Sequence, residues 1–246
     1  MRCRIAALLL SLAFALPASA ATIDWDALNP AWDATDQSGQ QSFANIGGSG
    51  VDIVVRYSDN MFDNNSVPDI YTPLTAPSPE IVGTLRFTND RDAPLTPTWV
   101  TILFSEAIFI DEASAVSLSM VHGFQENLVV EATDIYGGLV AATTYGTNTP
   151  GLVQLDVDGN SSYRSRGLGA QEDSLYGDTT YSWTETAVTS LTFSILVTDI
   201  DGHQLRPGVS SQGIGNITFS VVPEPTTALL LGSGLIGVAF VGRRRR

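Results

Sequence analysis

The stretch Thr98-Trp99-Val100-Thr101-Ile102-Leu103-Phe104-Ser105 decides the fold. Val100, Ile102 and Phe104 fall on one side of an extended chain, and Thr101, Leu103 and Ser105 on the other. A period of two means one buried face and one more polar face, the pattern of antiparallel sheet. The same alternation recurs around it. Val116, Leu118 and Met120 alternate with Ser117 and Ser119, and Leu128, Val130 and Ala132 with Val129, Glu131 and Thr133. Leu191, Phe193, Ile195 and Val197 alternate with Thr192, Ser194, Leu196 and Thr198; Ile217, Phe219 and Val221 alternate with Thr218 and Ser220.

Further strands are predicted over 51–57, 81–88, 140–145 and 152–157, with a short aromatic one over 181–186. The segment 58–79 is rich in Asn, Asp, Pro and Ser and reads as a long loop. Polar loops are also expected over 161–178 and 199–213. No stretch keeps a helical period with caps; residues 106–115 hold at most a single turn. Nine or ten strands follow, at irregular spacing. The expected fold class is all-β: an antiparallel two-sheet β-sandwich, jelly-roll-like, with a barrel or an immunoglobulin-like pair of sheets as the runner-up.

The two ends of the chain differ from this body. Met1-Arg2-Cys3-Arg4 is a basic start, residues 5–16 are apolar, and Ala18-Ser19-Ala20 is a small-residue cleavage sequence. Together they read as a signal peptide over 1–20, cut between Ala20 and Ala21. The only cysteine, Cys3, lies inside it, so the body 21–222 has no disulfide and no thiolate metal site.

At the other end, Pro223-Glu224-Pro225 leads into the apolar run 226–242, and Arg243, Arg244, Arg245 and Arg246 follow. The run has 17 uncharged residues, which at about 1.5 Å per residue is near the short limit for a membrane-spanning helix. The arginines would stay on the cytoplasmic side. Two prolines keep the preceding segment extended and without backbone donors. This tail resembles the PEP-CTERM sorting signal of Gram-negative bacteria, over about a tenth of the chain. The resemblance implies recognition by exosortase, a membrane-embedded cysteine protease-transpeptidase, with processing near Pro223, Glu224 and Pro225. It further implies an inner-membrane precursor whose body is then released to the cell surface or an exopolysaccharide matrix. A permanent single-span anchor is the simpler alternative.

Charge narrows what the body can bind. It holds six arginines against 25 carboxylates, a net of −19, and the whole chain has no lysine. Such acidity disfavours nucleic acid and anionic membrane surfaces, although high acidity also suits any exported, soluble protein.

Catalytic motifs are scarce. His122 and His203 are the only histidines, with no Gly-x-Ser-x-Gly, His-Glu-x-x-His, P-loop or dinucleotide fingerprint beside them. Paired carboxylates among Glu106, Asp111, Glu112, Glu126 and Glu131 leave a glycan-active hydrolase as the enzymatic alternative to a non-catalytic body. Asp156, Asp158 and Asn160, around Gly159, offer alternating oxygen ligands suited to a structural Ca2+ ion. The order is not that of an EF-hand, and an ordinary hairpin turn explains the same residues. Asp199-Ile200-Asp201-Gly202 is a shorter candidate of the same kind. For a polysaccharide partner, the aromatic candidates are Trp25, Trp32, Tyr57, Phe62, Tyr71, Tyr176, Tyr181 and Trp183, since a ring packs on the C–H face of a sugar. Trp183 and Tyr181 share one strand face, which more often means core.

Overall fold

The computed structural model describes residues 20–59, 68–70, 83–90, 97–118, 120–121, 124–147, 153–158, 161–167, 177–199 and 209–222. The chain opens with β1 (Ala20–Ile23), the one-turn helix α1 (Trp25–Leu28) and a 3-10 turn (Asn29–Ala31). Then come β2 (Gln40–Phe43), a second 3-10 turn (Ile46–Gly48), β3 (Ile53–Tyr57), β4 (Asp69–Ile70) and β5 (Leu85–Asp90). The central strands are β6 (Thr98–Leu118), β7 (Met120–Val121), β8 (Phe124–Thr133), β9 (Leu139–Val140) and β10 (Thr144–Thr147). The last are β11 (Val153–Asp158), β12 (Ser162–Gly167), β13 (Gly177–Asp199), β14 (Val209–Ile214) and β15 (Ile217–Val221).

The fold is all-β and antiparallel. Hydrogen bonds join fifteen strands into a single sheet along the path β11-β12-β8-β13-β6-β14-β5-β4. On the side of β6 away from β13, β3 pairs with its first half and β15 with its second; β2 then adds to β3, and β1 to β15.

Two long strands, β6 and β13, carry the sheet. Their first pairing block is regular: residues 190–195 of β13 lie opposite 98–103 of β6 without interruption. The register then breaks on both strands. Trp183 pairs with Ile110, Val188 with Ile108 and Ser190 with Leu103, so 184–187 bulge from β13 and 104–107 from β6. A further bulge lies at Asp111, because Thr218 faces Glu112 while Phe219 faces Ile110. Bulges bend the strand that carries them and increase its twist. Around these bulges, side chains set apart along the sheet meet in the core. The ring centroids of Phe104 and Phe219 lie 6.0 Å apart, those of Tyr163 and Trp183 6.2 Å, and the Ser165 and Tyr181 hydroxyls 2.8 Å.

Strands thus replace the expected turn over 106–115. The polar stretch after residue 160 contains β12, and the end of the loop before Gly213 contains β14. β12 tolerates serine inside the core because its polar atoms are satisfied, as Ser165 is by Tyr181. The long loop read over 58–79 is described only at its start and at 68–70, where β4 pairs with β5.

Candidate functional site

The site of interest is the point where the body meets its C-terminal tail. β15 lies between β1 and β6, with Phe219 opposite Ile110 and Val221 opposite Ile108. Phe219 is fully buried. The Ser220 hydroxyl donates to Asp111 Oδ2 at 2.7 Å. The Val222 amide donates to the Ala107 carbonyl at 3.3 Å. The next residue is Pro223, which has no amide to donate. Sheet pairing therefore runs to the residue before Pro-Glu-Pro, with no spacer between them.

The N-terminal end of the body meets the same strand. Ala20 lies opposite Ser220, Ala21 opposite Phe219 and Ile23 opposite Ile217. Ile23 is fully buried. α1 fixes this arrangement: the Asp24 side chain caps it by accepting from the Ala27 amide, and the buried Trp25 indole donates to the Gly215 carbonyl at 2.9 Å. A buried indole needs an acceptor, and Gly215 supplies one in the link between β14 and β15. Because the pairing is antiparallel, Ala20 and Val222 lie at one edge of the molecule. A cut between Ala20 and Ala21 leaves Ala21, Thr22 and Ile23 paired with β15.

Pro223, Glu224, Pro225, Arg243, Arg244, Arg245 and Arg246 lie outside the described residues, as do the signal-peptide residues before Ala20 and the apolar run 226–242. Among the described residues no helix is long and apolar enough to cross a membrane. His122, His203 and Asn160 are also outside them.

The calcium candidates Asp156 and Asp158 lie in β11, opposite Arg164 and Ser162 of β12. The pairing of Asp158 with Ser162 leaves three residues to turn the chain, and Ser161 takes a left-handed φ of 68°. Among the described residues no group of three His, Cys, Asp or Glu side chains is placed to hold a metal ion.

The aromatic candidates for sugar stacking divide. Trp25, Trp32, Tyr57, Tyr181 and Trp183 are buried, so they build the core and offer no platform; Phe62, Tyr71 and Tyr176 lie outside the described residues. Each buried indole is spent on a backbone carbonyl: Trp32 on Pro68 at 2.8 Å and Trp183 on Val140 at 3.0 Å, in addition to Trp25. The prominent exposed aromatic is Tyr136, 88% exposed, beside Ile135 at 62%. Both occupy the tight turn Asp134-Ile135-Tyr136-Gly137-Gly138 between β8 and β9. Apolar residues at the centre of an Asp-x-x-Gly turn are the signal in the sequence that would have found them.

Of the five carboxylates considered for catalysis, Glu106, Asp111 and Glu112 are exposed along β6, and Glu131 is half-buried in β8 opposite Thr192. Glu126 is placed only by its backbone, in β8. Asp111 and Glu112 line a polar cleft of about 320 Å³ with Thr144, Thr180, Tyr181 and Ser182. Burial holds the Tyr181 phenol above its ordinary range.

Compared with known protein families, residues 221–246 match the PEP-CTERM protein-sorting motif. The chain's C-terminal tail is that motif, which marks an exported protein sorted through exosortase. No curated protein matches the chain.

Proposed function

We propose that the protein is a non-catalytic surface or extracellular-matrix component whose body, residues 21–222, is delivered by its own tail. In this reading residues 1–20 are a signal peptide, and 226–242 form a transmembrane helix that holds the precursor in the inner membrane, with Arg243–Arg246 on the cytoplasmic side. Exosortase then cuts near Pro223–Pro225 and releases the body. The observation that carries the reading is the sorting motif beginning where β15 ends. Because Val222 is still paired, cleavage at Pro-Glu-Pro leaves the fold whole.

The body is best described as a jelly-roll-like β-sandwich made by folding one sheet over. The ring contacts between the two halves support that description. For a ligand, the reading favours exopolysaccharide or another surface protein. The cleft lined by Asp111, Glu112 and the Thr144, Thr180 and Ser182 hydroxyls suits a hydroxyl-rich ligand. A structural Ca2+ ion at Asp156, Asp158 and Asn160 belongs to the same reading. The alternative, a glycan-active hydrolase, would use Asp111 and Glu112 in that cleft as paired carboxylates.

Two measurements test this. Intact-mass analysis of the protein from cells with and without exosortase should show loss of the tail only when exosortase is present. A tail retained in both would make it a permanent anchor. The released body should then co-sediment with the host exopolysaccharide without freeing sugar, and chelation should weaken retention if calcium is bound. Sugar release that disappears in Asp111→Asn or Glu112→Gln would replace the binding reading with the hydrolase.

A further inference from the structure

The edge from which Val222 leaves also carries the most exposed apolar residues described. Val221 lies opposite Ile108 of β6, and Ile108 opposite Val188 of β13. On the next residue of β13, the Thr189 hydroxyl donates to the Asp134 carbonyl at 2.8 Å. The end of β8 is thus three strands from the tail exit, about 15 Å along the sheet at about 4.8 Å per strand. Both β8 and β15 run toward the bulges where the sheet turns back, so their ends emerge at the same edge.

The turn after β8 is built to hold its tip outward. Asp134 Oδ1 accepts from the Tyr136 amide at 2.8 Å and the Gly138 amide at 2.9 Å. The Asp134 amide donates to the Gly138 carbonyl at 3.0 Å, and the Gly137 amide to the Asp134 carbonyl at 3.1 Å. Gly137 takes a φ of 77°, which only glycine adopts freely. With its backbone and carboxylate committed, the turn presents Ile135 and Tyr136, and Leu139 beside them is 41% exposed.

We propose that this tip docks on the membrane interface while the tail still anchors the body. The inference rests on the reading of 226–242 as a membrane helix. Three residues, 223–225, then separate Val222 from the hydrocarbon, a reach of at most about 10 Å. So short a tether keeps this edge at the headgroup layer. A tyrosine with an aliphatic neighbour suits that layer, where one end of the ring is apolar and the hydroxyl stays wet. Glu106 and Glu185, both exposed at the same bulges, direct the choice toward zwitterionic rather than anionic lipid. Tethering supplies a high local concentration, so the contact is made by the anchored chain and lost on release.

The body lacks cysteine, which allows a clean test. The chain with its tail, carrying Cys3→Ser and Tyr136→Cys, is labelled with an environment-sensitive fluorophore and reconstituted in phosphatidylcholine vesicles. Gln37→Cys, exposed beyond the far end of β2, serves as the reference. The expected result is a blue-shifted Tyr136 probe that a headgroup nitroxide quenches, with an unaffected Gln37 probe and loss of the shift on removing 223–246. Chain that floats with the vesicles while the Tyr136 probe stays aqueous overturns the docking alone. A shift seen only when exosortase is added overturns lipid in favour of that protein. Failure of the chain to float overturns the membrane reading of the tail and the docking with it.

Discussion

The two halves of the β6–β13 pair are made of similar residues and behave differently. From 98 to 103 β6 keeps strict register with β13, and from 100 to 104 with β3; Val100 and Ile102 are fully buried. From 104 to 112 the same strand bulges twice, exposing Ser105 with Glu106 and then Asp111 with Glu112. The regular half supplies flat pairing surface. The bulged half turns the sheet, gathers the ends of β8 and β15 at one edge and opens the polar cleft. The exit of the tail and the polar cleft are therefore both found where the register breaks.

The largest test of this contrast is a matched pair of cavities. Phe193→Ala in the regular half and Phe219→Ala in the bulged half each remove a fully buried ring and should each cost about 3–5 kcal/mol. Urea unfolding followed by tryptophan fluorescence should stay a single transition in both, because the rings lie in one continuous core. Two separated transitions in either variant would mean that the halves fold independently.

Gly213→Ala probes the bulged half alone. A Cβ there meets the Thr84 hydroxyl and lies 2.8 Å from Val116 Cγ2, and both neighbours are β-branched and stiff. Overpacking of this kind costs about 1–3 kcal/mol, read as a lower urea midpoint at unchanged slope.

Tyr181→Phe adds a pH dependence. Burial raises the phenol's pKa in the folded state, partly offset by its hydrogen bond to Ser165. The folded protein thus holds this proton more tightly than the unfolded chain. Its contribution to stability is intact below the unfolded pKa of about 10 and is lost as pH rises through the higher folded value. The variant should lose about 1 kcal/mol at neutral pH from the hydrogen bond and show a shallower alkaline decline. An unchanged alkaline decline would remove Tyr181 as its source.

The smallest effect belongs to the regular half. Thr101→Val breaks the 2.9 Å hydroxyl contact with Thr192 and should shift stability by about 0.2–1 kcal/mol, with no effect on processing of the tail.

The same contrast explains what the sequence makes legible. Alternation predicts the strands around Val100, Leu128, Phe193 and Phe219, because a half-buried regular strand must alternate. It fails over 106–115, where two exposed residues in a row mimic a turn. It fails at β12, whose buried Ser162 and Ser165 look like loop, and at β1, whose alanines and isoleucine lie against a cleavage sequence. The sorting tail is fully legible, since its information is the order of residue types. The meeting of Ala20 with Ser220 is not, because it depends on pairing between opposite ends of the chain. The exposure of Tyr136 is not legible from alternation either: its turn residues announce a loop, and a ring in a short turn carries no period that tells surface from core.

β1 closes on β15 and brings both ends of the body to one edge. Thr22 and Thr218 lie directly opposite each other in that pairing, and opposed strand positions have Cβ atoms about 4.5–5.5 Å apart, within reach of a disulfide after small adjustment. Thiol titration of the exported body carrying Thr22→Cys and Thr218→Cys tests it directly. Both thiols should be lost to an intramolecular disulfide under mild oxidation. Two titratable thiols in the folded, oxidised protein would contradict it.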